Sequence, residues 1–171
     1  MMGGKRGSEG GVETEASDDE LQLVGDWPPA SKESGAAVER PSVRDAGAQL
    51  RHGLRILLVV DDPDLGDWLW EEFKHVGCAV ALTTCGKDGL QLIRSGLVDV
   101  VISEMGLPDL SGMDLLRELH ALPKMPKIIL TTNCHSSFLA TRAIENGASE
   151  VLSKPFRMEQ LFAAIARSLA N

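Results

Sequence analysis

Acidic, hydroxyl and amino side chains follow four of the short apolar runs in this sequence. The residues concerned are Asp61 and Asp62, Glu104, Thr131 and Lys154. Each residue type alone is common at the start of a loop or helix, but their joint occurrence after four separate runs is hard to assign to chance. Carboxylate oxygens suit a hard cation such as Mg²⁺, and an ammonium group or a hydroxyl binds anionic oxygens. The set indicates a polar site, provided that the fold brings these residues to one edge.

The elements that must position these residues alternate along the chain. Short continuous apolar runs such as Ile56–Val60 predict strands that are buried on both faces, and stripes of i, i+3, i+4 spacing predict helices between them. We expect strands near residues 56–60, 79–83, 99–103, 127–131 and 151–152, and helices near 65–76, 88–95, 111–122, 136–146 and 158–169. Strict alternation predicts an α/β fold, a five-stranded parallel sheet with helices on both faces. Ligands of such sheets bind at the carboxyl ends of the strands.

Two tryptophans in the first predicted helix lie two residues apart, at Trp68 and Trp70. Residues at i and i+2 cannot share a helix face. Trp68 has the same spacing as the apolar stripe, so we expect it in the core and expect Trp70 to be the more exposed ring.

Several longer motifs make the sequence similar to the receiver domains of bacterial response regulators. The resemblance covers essentially all of residues 54–169. It rests on ILLVVDD (56–62), DVVISEMGLP (99–108) followed by Ser111-Gly112, IILT (128–131) and GASEVLSKPF (147–156). It implies a flavodoxin-like sheet of strand order 2-1-3-4-5. It also implies transfer of a phosphoryl group from a kinase histidine to an aspartate at the end of the third strand.

The resemblance assigns a role to each of the strand-end residues. A magnesium ion, where one binds, would be held by Asp61, Asp62, the side chain at position 104 and the backbone carbonyl of Gly106. Thr131 and Lys154 would contact the phosphoryl group. Transfer onto a carboxylate requires such groups, because negative charge on both the nucleophile and the phosphoryl group must be offset.

This sequence departs from the family pattern at the acceptor position itself. Glu104 stands where the aspartate is expected, so its carboxylate lies one methylene further out and could reach Lys154 directly. The position of the switching aromatic residue is Val151. Thr132 replaces a smaller residue beside the pocket, and Pro63 shortens the loop after the acidic pair. These changes favour a receiver that no longer cycles by phosphorylation, and they make Mg²⁺ binding weak and not required.

Two functions remain open from the sequence. The first is a phosphorylation-independent protein–protein interaction module in signal transduction, which is not an enzyme and binds a protein partner through residues 136–169. The second is an active phosphoacceptor that takes a phosphoryl group from a histidine kinase onto Glu104 or a neighbouring carboxylate. Because residue 171 ends the sequence without an output domain, we expect output through a partner.

Composition sets the remaining expectations. Residues 1–52 are acidic and rich in Gly and Ser, which predicts a disordered tail that could take part in partner binding, followed by a receiver domain at residues 53–171. A net charge of −8 predicts no nucleic-acid partner. No apolar run is long enough for a membrane span. Three cysteines without close spacing predict reduced thiols in the cytoplasm.

Overall fold

A computed structural model describes residue 47 and residues 50–170 of the chain. Within these residues the strands and helices alternate: β1 (Arg55–Val59), α1 (Pro63–His75), β2 (Ala79–Thr83), α2 (Gly86–Arg94), β3 (Val100–Glu104), α3 (Gly112–Leu119), β4 (Lys127–Thr132), α4 (Ser137–Glu145), β5 (Glu150–Ser153) and α5 (Met158–Ala170). All neighbouring strands pair in parallel, in the order β2-β1-β3-β4-β5. The predicted fold class and strand order are confirmed.

The apolar core lies on both faces of the sheet, and β1 shows how the sequence produces it. All five residues of β1 are buried. Ile56 and Leu58 belong to one core cluster, whereas Leu57 and Val59 belong to the cluster on the opposite face. Because side chains alternate along a strand, a continuous apolar run supplies both layers at once. A polar residue within this run would leave one layer incomplete.

Helix α1 corrects the interpretation of the two tryptophans. Trp68 is 42% exposed, whereas Trp70 is partly buried and packs against the core cluster that contains Phe73. Trp70 lies four residues after Gly66 and three before Phe73, so it extends the buried stripe of the helix. Trp68 lies on the flank of that stripe. The spacing of Trp68 relative to the other apolar residues therefore gave the wrong face.

The folded part of the chain includes Leu50, which precedes the predicted domain boundary at residue 53. Leu50 is 3% exposed and belongs to the core cluster that contains Phe73 and Phe162. Gly47 is also buried, beside Val76 and Phe162. The predicted disordered tail covers residues 1–52, of which residues 1–46, 48 and 49 lie outside the described residues.

We expect Leu50→Ala to lower the free energy of unfolding by about 2 kcal/mol, because a buried leucine loses its transfer energy and leaves a cavity. Leu97→Ala is the matched control, because Leu97 is 47% exposed and its truncation should change stability by less than about 0.5 kcal/mol. Urea unfolding of both variants measures the difference. Equal effects would show that Leu50 does not belong to the folding unit.

Among the described residues, no helix is both long and apolar enough to cross a bilayer. Cys78, Cys85 and Cys134 are free thiols.

Candidate functional site

The parallel sheet brings the strand-end residues predicted from the sequence to one edge. Glu104 is the last residue of β3, and its Cα is in register with that of Thr131 in β4. Thr132 is in register with Ser153 at the end of β5, and the backbone N–H of Lys154 donates to the carbonyl of Thr132 at 2.7 Å. Lys154 follows β5 directly, before a cis peptide bond to Pro155.

The Glu104 carboxylate is held by two groups from different loops. Its Oε1 forms an ion pair with Lys154 Nζ, and its Oε2 accepts a hydrogen bond of 2.9 Å from the backbone N–H of Asp61. Both partner side chains are largely withdrawn from water, at 8% exposed for Glu104 and 17% for Lys154. The side chain of Glu104 therefore contacts Lys154 directly, as its extra methylene allows. Its carboxylate links the ends of β1, β3 and β5.

Burial and nearby acidic side chains act on the pKa of Lys154 in opposite directions. Burial lowers the pKa of Lys154 below its ordinary value, while the carboxylates of Asp61 and Asp62 act in the opposite direction. Since the ion pair is partly dry, salt screens it less than it screens a surface pair. The arrangement supplies one fixed cation opposite three acidic side chains.

Thr131, Val151 and Gly106, the other predicted site residues, carry no charge and lie on β4, on β5 and in the loop after β3. Thr131 is buried, and the hydroxyl of the also buried Thr132 accepts from the backbone N–H of Cys134 at 3.0 Å. Val151 is half-buried, lies in register with Leu130 and packs against the core cluster that contains Leu57 and Val59. Gly106 is exposed in the loop after β3. The hydroxyl of Thr132 therefore orders the loop after β4.

The acidic residues in this arrangement do not fit a magnesium site. The carboxylate of Asp62 is the N-cap of α1, where its Oδ1 accepts from the backbone N–H groups of Asp64 and Leu65. Both oxygens of Glu104 are already bound by Lys154 and Asp61. In the part of the chain that the structure describes, no three His, Cys, Asp or Glu side chains are grouped to hold a metal ion.

Sequence reasoning missed Asp109, which stabilises the loop between β3 and α3. Its carboxylate accepts from the backbone N–H groups of Gly86 and Lys87, at 2.9 Å each, and from the thiol of Cys85 at 3.1 Å. Burial alone would raise the pKa of Asp109, but these hydrogen bonds outweigh it and hold the pKa below its ordinary value. Asp109 thereby caps α2 from another loop, which explains why α2 begins at Gly86 and not near residue 88. No local spacing signals such a cap.

A flavodoxin-like sheet with an acid, two hydroxyls and a lysine at its carboxyl edge defines the class of receiver-like signalling modules. Comparison with known proteins gives the family, because residues 56–166 match the model of the response regulator receiver domain. The chain therefore belongs to the response regulator receiver domain family, and its similarity to two-component response regulators is confirmed.

The chain is similar to both curated proteins and solved structures. It is 33% identical over 115 residues to the uncharacterized transcriptional regulatory protein YrkP of Bacillus subtilis, covering 67% of this chain and 49% of that protein. It is 30% identical over 112 residues to the transcriptional regulatory protein CusR of Escherichia coli, covering 66% and 49%. The signal receiver domain of a putative LuxO repressor protein from Vibrio parahaemolyticus is 28% identical, with a TM-score of 0.65 over 69% of this chain and 91% of that one.

These relatives correct the expectation about nucleic acid. The chain spans about half the length of the curated relatives that it matches, and those relatives are transcriptional regulatory proteins. The prediction of no nucleic-acid partner is therefore wrong. It was drawn from the net charge of this chain, and that charge carries no information about the remaining half of such a protein.

Proposed function

We propose that this receiver domain acts as a phosphorylation-independent interaction module in signal transduction. The observation that supports it most directly is the occupation of Glu104, whose two carboxylate oxygens are bound by Lys154 and by the backbone N–H of Asp61. By resemblance, Lys154 is the group that would contact a phosphoryl oxygen. In this chain a carboxylate already takes that place, so the lysine is engaged without any modification.

The same geometry makes phosphoryl transfer to Glu104 unfavourable. A nucleophilic carboxylate must approach the phosphorus with one oxygen free. Freeing Oε1 of Glu104 for this would require loss of the buried ion pair with Lys154. One carboxylate that would help to hold the metal that offsets charge in phosphoryl transfer is engaged elsewhere, because Asp62 Oδ1 caps α1. We propose that Mg²⁺ binds weakly, if it binds, and is not required.

The partner surface that we propose is the face formed by α4, β5 and α5, residues 136–169. Helix α4 has a single buried side chain, Ala143, and exposes Phe138 at 67% and Ile144 at 48%. Exposed large apolar residues that share one short helix are typical of an interaction surface. A protein partner, with a histidine kinase among the candidates, would cover them.

The process that we propose is control of transcription in the cytoplasm, because the relatives are transcriptional regulatory proteins. The tail at residues 1–52 is proposed as a second contact with the partner. The receiver domain at residues 53–171, extended by Leu50, is the part that we propose to fold independently.

Treatment with acetyl phosphate and Mg²⁺ should leave the intact mass of the protein unchanged, because the oxygens of Glu104 are occupied and Asp62 is engaged as the N-cap of α1. Mass spectrometry of the untreated and treated protein measures this. An adduct of about 80 Da, the mass of one phosphoryl group, would support the phosphoacceptor function instead. Glu104→Ala then distinguishes the two acceptors, because an adduct that persists in this variant lies on a neighbouring carboxylate such as Asp61.

A further inference from the structure

Three basic residues lie at the edge of the sheet where the strands begin, which we call the amino edge. Because all neighbouring strands pair in parallel, this edge is at the far end of the sheet from Glu104. Arg51 lies in the loop before β1 and Lys124 in the loop before β4, and both are exposed. Lys127 is the half-buried first residue of β4. Three cations thus lie at one edge of a chain whose net charge is −8.

Backbone hydrogen bonds hold the beginnings of three strands together at this edge. The N–H of Asp99 donates to the carbonyl of Arg55 at 3.0 Å, and the N–H of Lys127 donates to the carbonyl of Asp99 at 3.0 Å. The charge of Lys124 acts on Asp99, so Lys124 lies beside the same junction. The sheet therefore presents Lys124 and Lys127 on one surface.

The positive charge of these three cations is not neutralised by neighbouring acids. Within the described residues, none of the three forms an ion pair with an Asp or Glu side chain. The acidic side chains beside them are already engaged, Asp99 by Arg55 and Glu150 by Arg167. The helix macrodipole explains a basic residue in the last turn of each described helix, but these three cations lie outside the helices. Their charge is therefore available to an anionic partner.

A polar recess adjoins these cations at the amino edge. Its volume is about 300 Å³, and its wall consists of Lys127, Ser149, Glu150, Arg167 and Ser168. Because Arg167 is paired with Glu150, Lys127 supplies the net positive charge of the wall. A carboxylate side chain in the recess would form a charge-assisted hydrogen bond with the ammonium of Lys127.

The chain itself contains a segment of complementary charge. Residues 7–31 hold seven acidic residues and no Lys or Arg. They lie outside the described residues, but the described chain begins its continuous part at Leu50, directly before Arg51. The 26 residues between Glu20 and Gly47 span at most about 90 Å, whereas a domain of this size is about 35 Å across. The segment can therefore reach the whole amino edge.

Covalent attachment favours this segment over other anions. A tethered segment acts at an effective concentration of about 1 mM, so weak contacts suffice to hold it. The same segment of a second copy lacks this advantage in dilute solution. Nucleic acid would have to displace the tethered carboxylates from the cations, and it is also repelled by the net charge of the chain.

We propose that the acidic segment at residues 7–31 docks on the amino edge of its own receiver domain. Arg51, Lys124 and Lys127 bind its carboxylates, and the recess beside Lys127 accepts one of them. The contact goes beyond the proposed function, because it lies at the far end of the sheet from Glu104 and does not depend on whether Glu104 can be phosphorylated. A partner that binds the tail must displace this contact, so docking regulates access to the tail.

Carbodiimide cross-linking of the full chain tests the contact, because this reagent joins a carboxylate directly to an amino group that touches it. Trypsin releases residues 7–32 as one peptide that contains all seven acidic residues, and mass spectrometry identifies the lysine joined to it. We expect links to Lys124 and Lys127 and few to Lys87, the matched control. Lys87 is exposed, as Lys124 is, but it lies in the first turn of α2 at the carboxyl edge.

A one-to-one mixture of ¹⁵N-labelled and unlabelled chains shows which copy supplies the segment. Docking within one chain predicts cross-linked peptide pairs that are wholly labelled or wholly unlabelled. Pairs that join labelled to unlabelled chains in statistical proportion would overturn the inference in favour of a second copy. Links to Lys87 as frequent as those to Lys124 would overturn it too. So would the absence of links to Lys124 and Lys127, which would leave the cations to another anion such as nucleic acid.

Cleavage of the full chain by a glutamate-specific protease gives a second readout that does not require the lysines to react. Cleavage of a docked segment follows the fraction of time that it is undocked, so Lys124→Gln with Lys127→Gln should speed cleavage within residues 9–20 by about threefold or more. Lys87→Gln with Arg157→Gln makes the same change in net charge at exposed positions of the carboxyl edge and should leave the rate unchanged. Equal rates in the two double variants would contradict docking at the amino edge. Near-ultraviolet circular dichroism establishes that both variants are folded.

Discussion

Asp99→Asn should lower the free energy of unfolding at neutral pH by about 3 kcal/mol, because it removes the partner of a buried charge. The side chain of Arg55 is 5% exposed, and its Nε and Nη2 donate to Asp99 at 2.8 and 2.6 Å. Asp99 also accepts from the backbone N–H of Arg55 at 3.1 Å. The substitution leaves the cation in place without its bidentate acceptor, so most of the cost is desolvation that is no longer offset.

The loss should depend on pH in a definite direction. Burial alone would raise the pKa of Asp99, but hydrogen bonds and the charge of Arg55 outweigh it and hold the pKa below its ordinary value. A carboxyl group with a depressed folded-state pKa contributes stability that is complete above its unfolded-state pKa, about 3.9. That stability is lost as the pH falls through the folded-state pKa. The difference between the parent protein and Asp99→Asn should therefore be constant near neutrality and shrink below about pH 4.

Urea unfolding of both proteins at neutral pH and at several acidic values measures this difference. Glu118→Gln is the control, because Glu118 pairs with Arg94 at 3.0 Å on the exposed surface and such pairs contribute less than about 1 kcal/mol. A loss for Asp99→Asn that is no larger than the loss for Glu118→Gln would refute the assignment. A difference in the free energy of unfolding that stays constant into strong acid would show that Arg55 does not lower the pKa of Asp99 in the folded protein.

The fold was predictable because its signals are local and periodic. The run at residues 56–60 is apolar at every position, and so short a run is typical of a strand buried on both faces. Parallel pairing then followed from the alternation with helices, which places Glu104, Thr131 and Lys154 at one edge. The order of the strands came from the resemblance to receiver domains and not from periodicity.

The features that the sequence did not predict depend on neighbours that are distant in the chain. Arg55 and Asp99 are separated by 44 residues, and Asp109 caps α2 from 23 residues away. Nothing near either residue indicates its partner. The prediction that Trp68 is buried was wrong, because the apolar stripe of a helix does not show whether a residue at the edge of the stripe is buried or exposed. Leu50 precedes the first strand, in a segment whose apolar residues show no helix or strand periodicity that would indicate burial.

The dual role of Asp62 shows how local and tertiary signals can conflict. The sequence places it beside Asp61 as a metal ligand by resemblance, while Pro63 after it signals the first turn of a helix. The structure uses its carboxylate as the N-cap of α1. Capping satisfies two backbone N–H groups that no other described side chain reaches. The local demand of the helix thereby competes with any ligand at the site.

The ion pair between Glu104 and Lys154 should set the resting conformation of the site, and its loss should be measurable as a coupling energy. Lys154→Ala leaves a buried carboxylate with only the backbone N–H of Asp61, which should cost about 1–3 kcal/mol. Glu104→Gln keeps the shape and removes the charge. If repulsion from Asp61 and Asp62 dominated instead, Glu104→Gln would be neutral or stabilising.

A double-mutant cycle separates these two effects. The single variants and the double variant are unfolded in urea, and the coupling energy is the part of the double loss that the single losses do not add up to. We expect a favourable coupling of more than about 1 kcal/mol, because both groups are withdrawn from water and screening is weak. The exposed pair of Arg94 and Glu118 provides the reference cycle, with less than about 1 kcal/mol expected. A coupling between Glu104 and Lys154 that is indistinguishable from zero would mean that the pair does not hold the ends of β3 and β5 together, and the proposal of a permanently engaged lysine would fail with it.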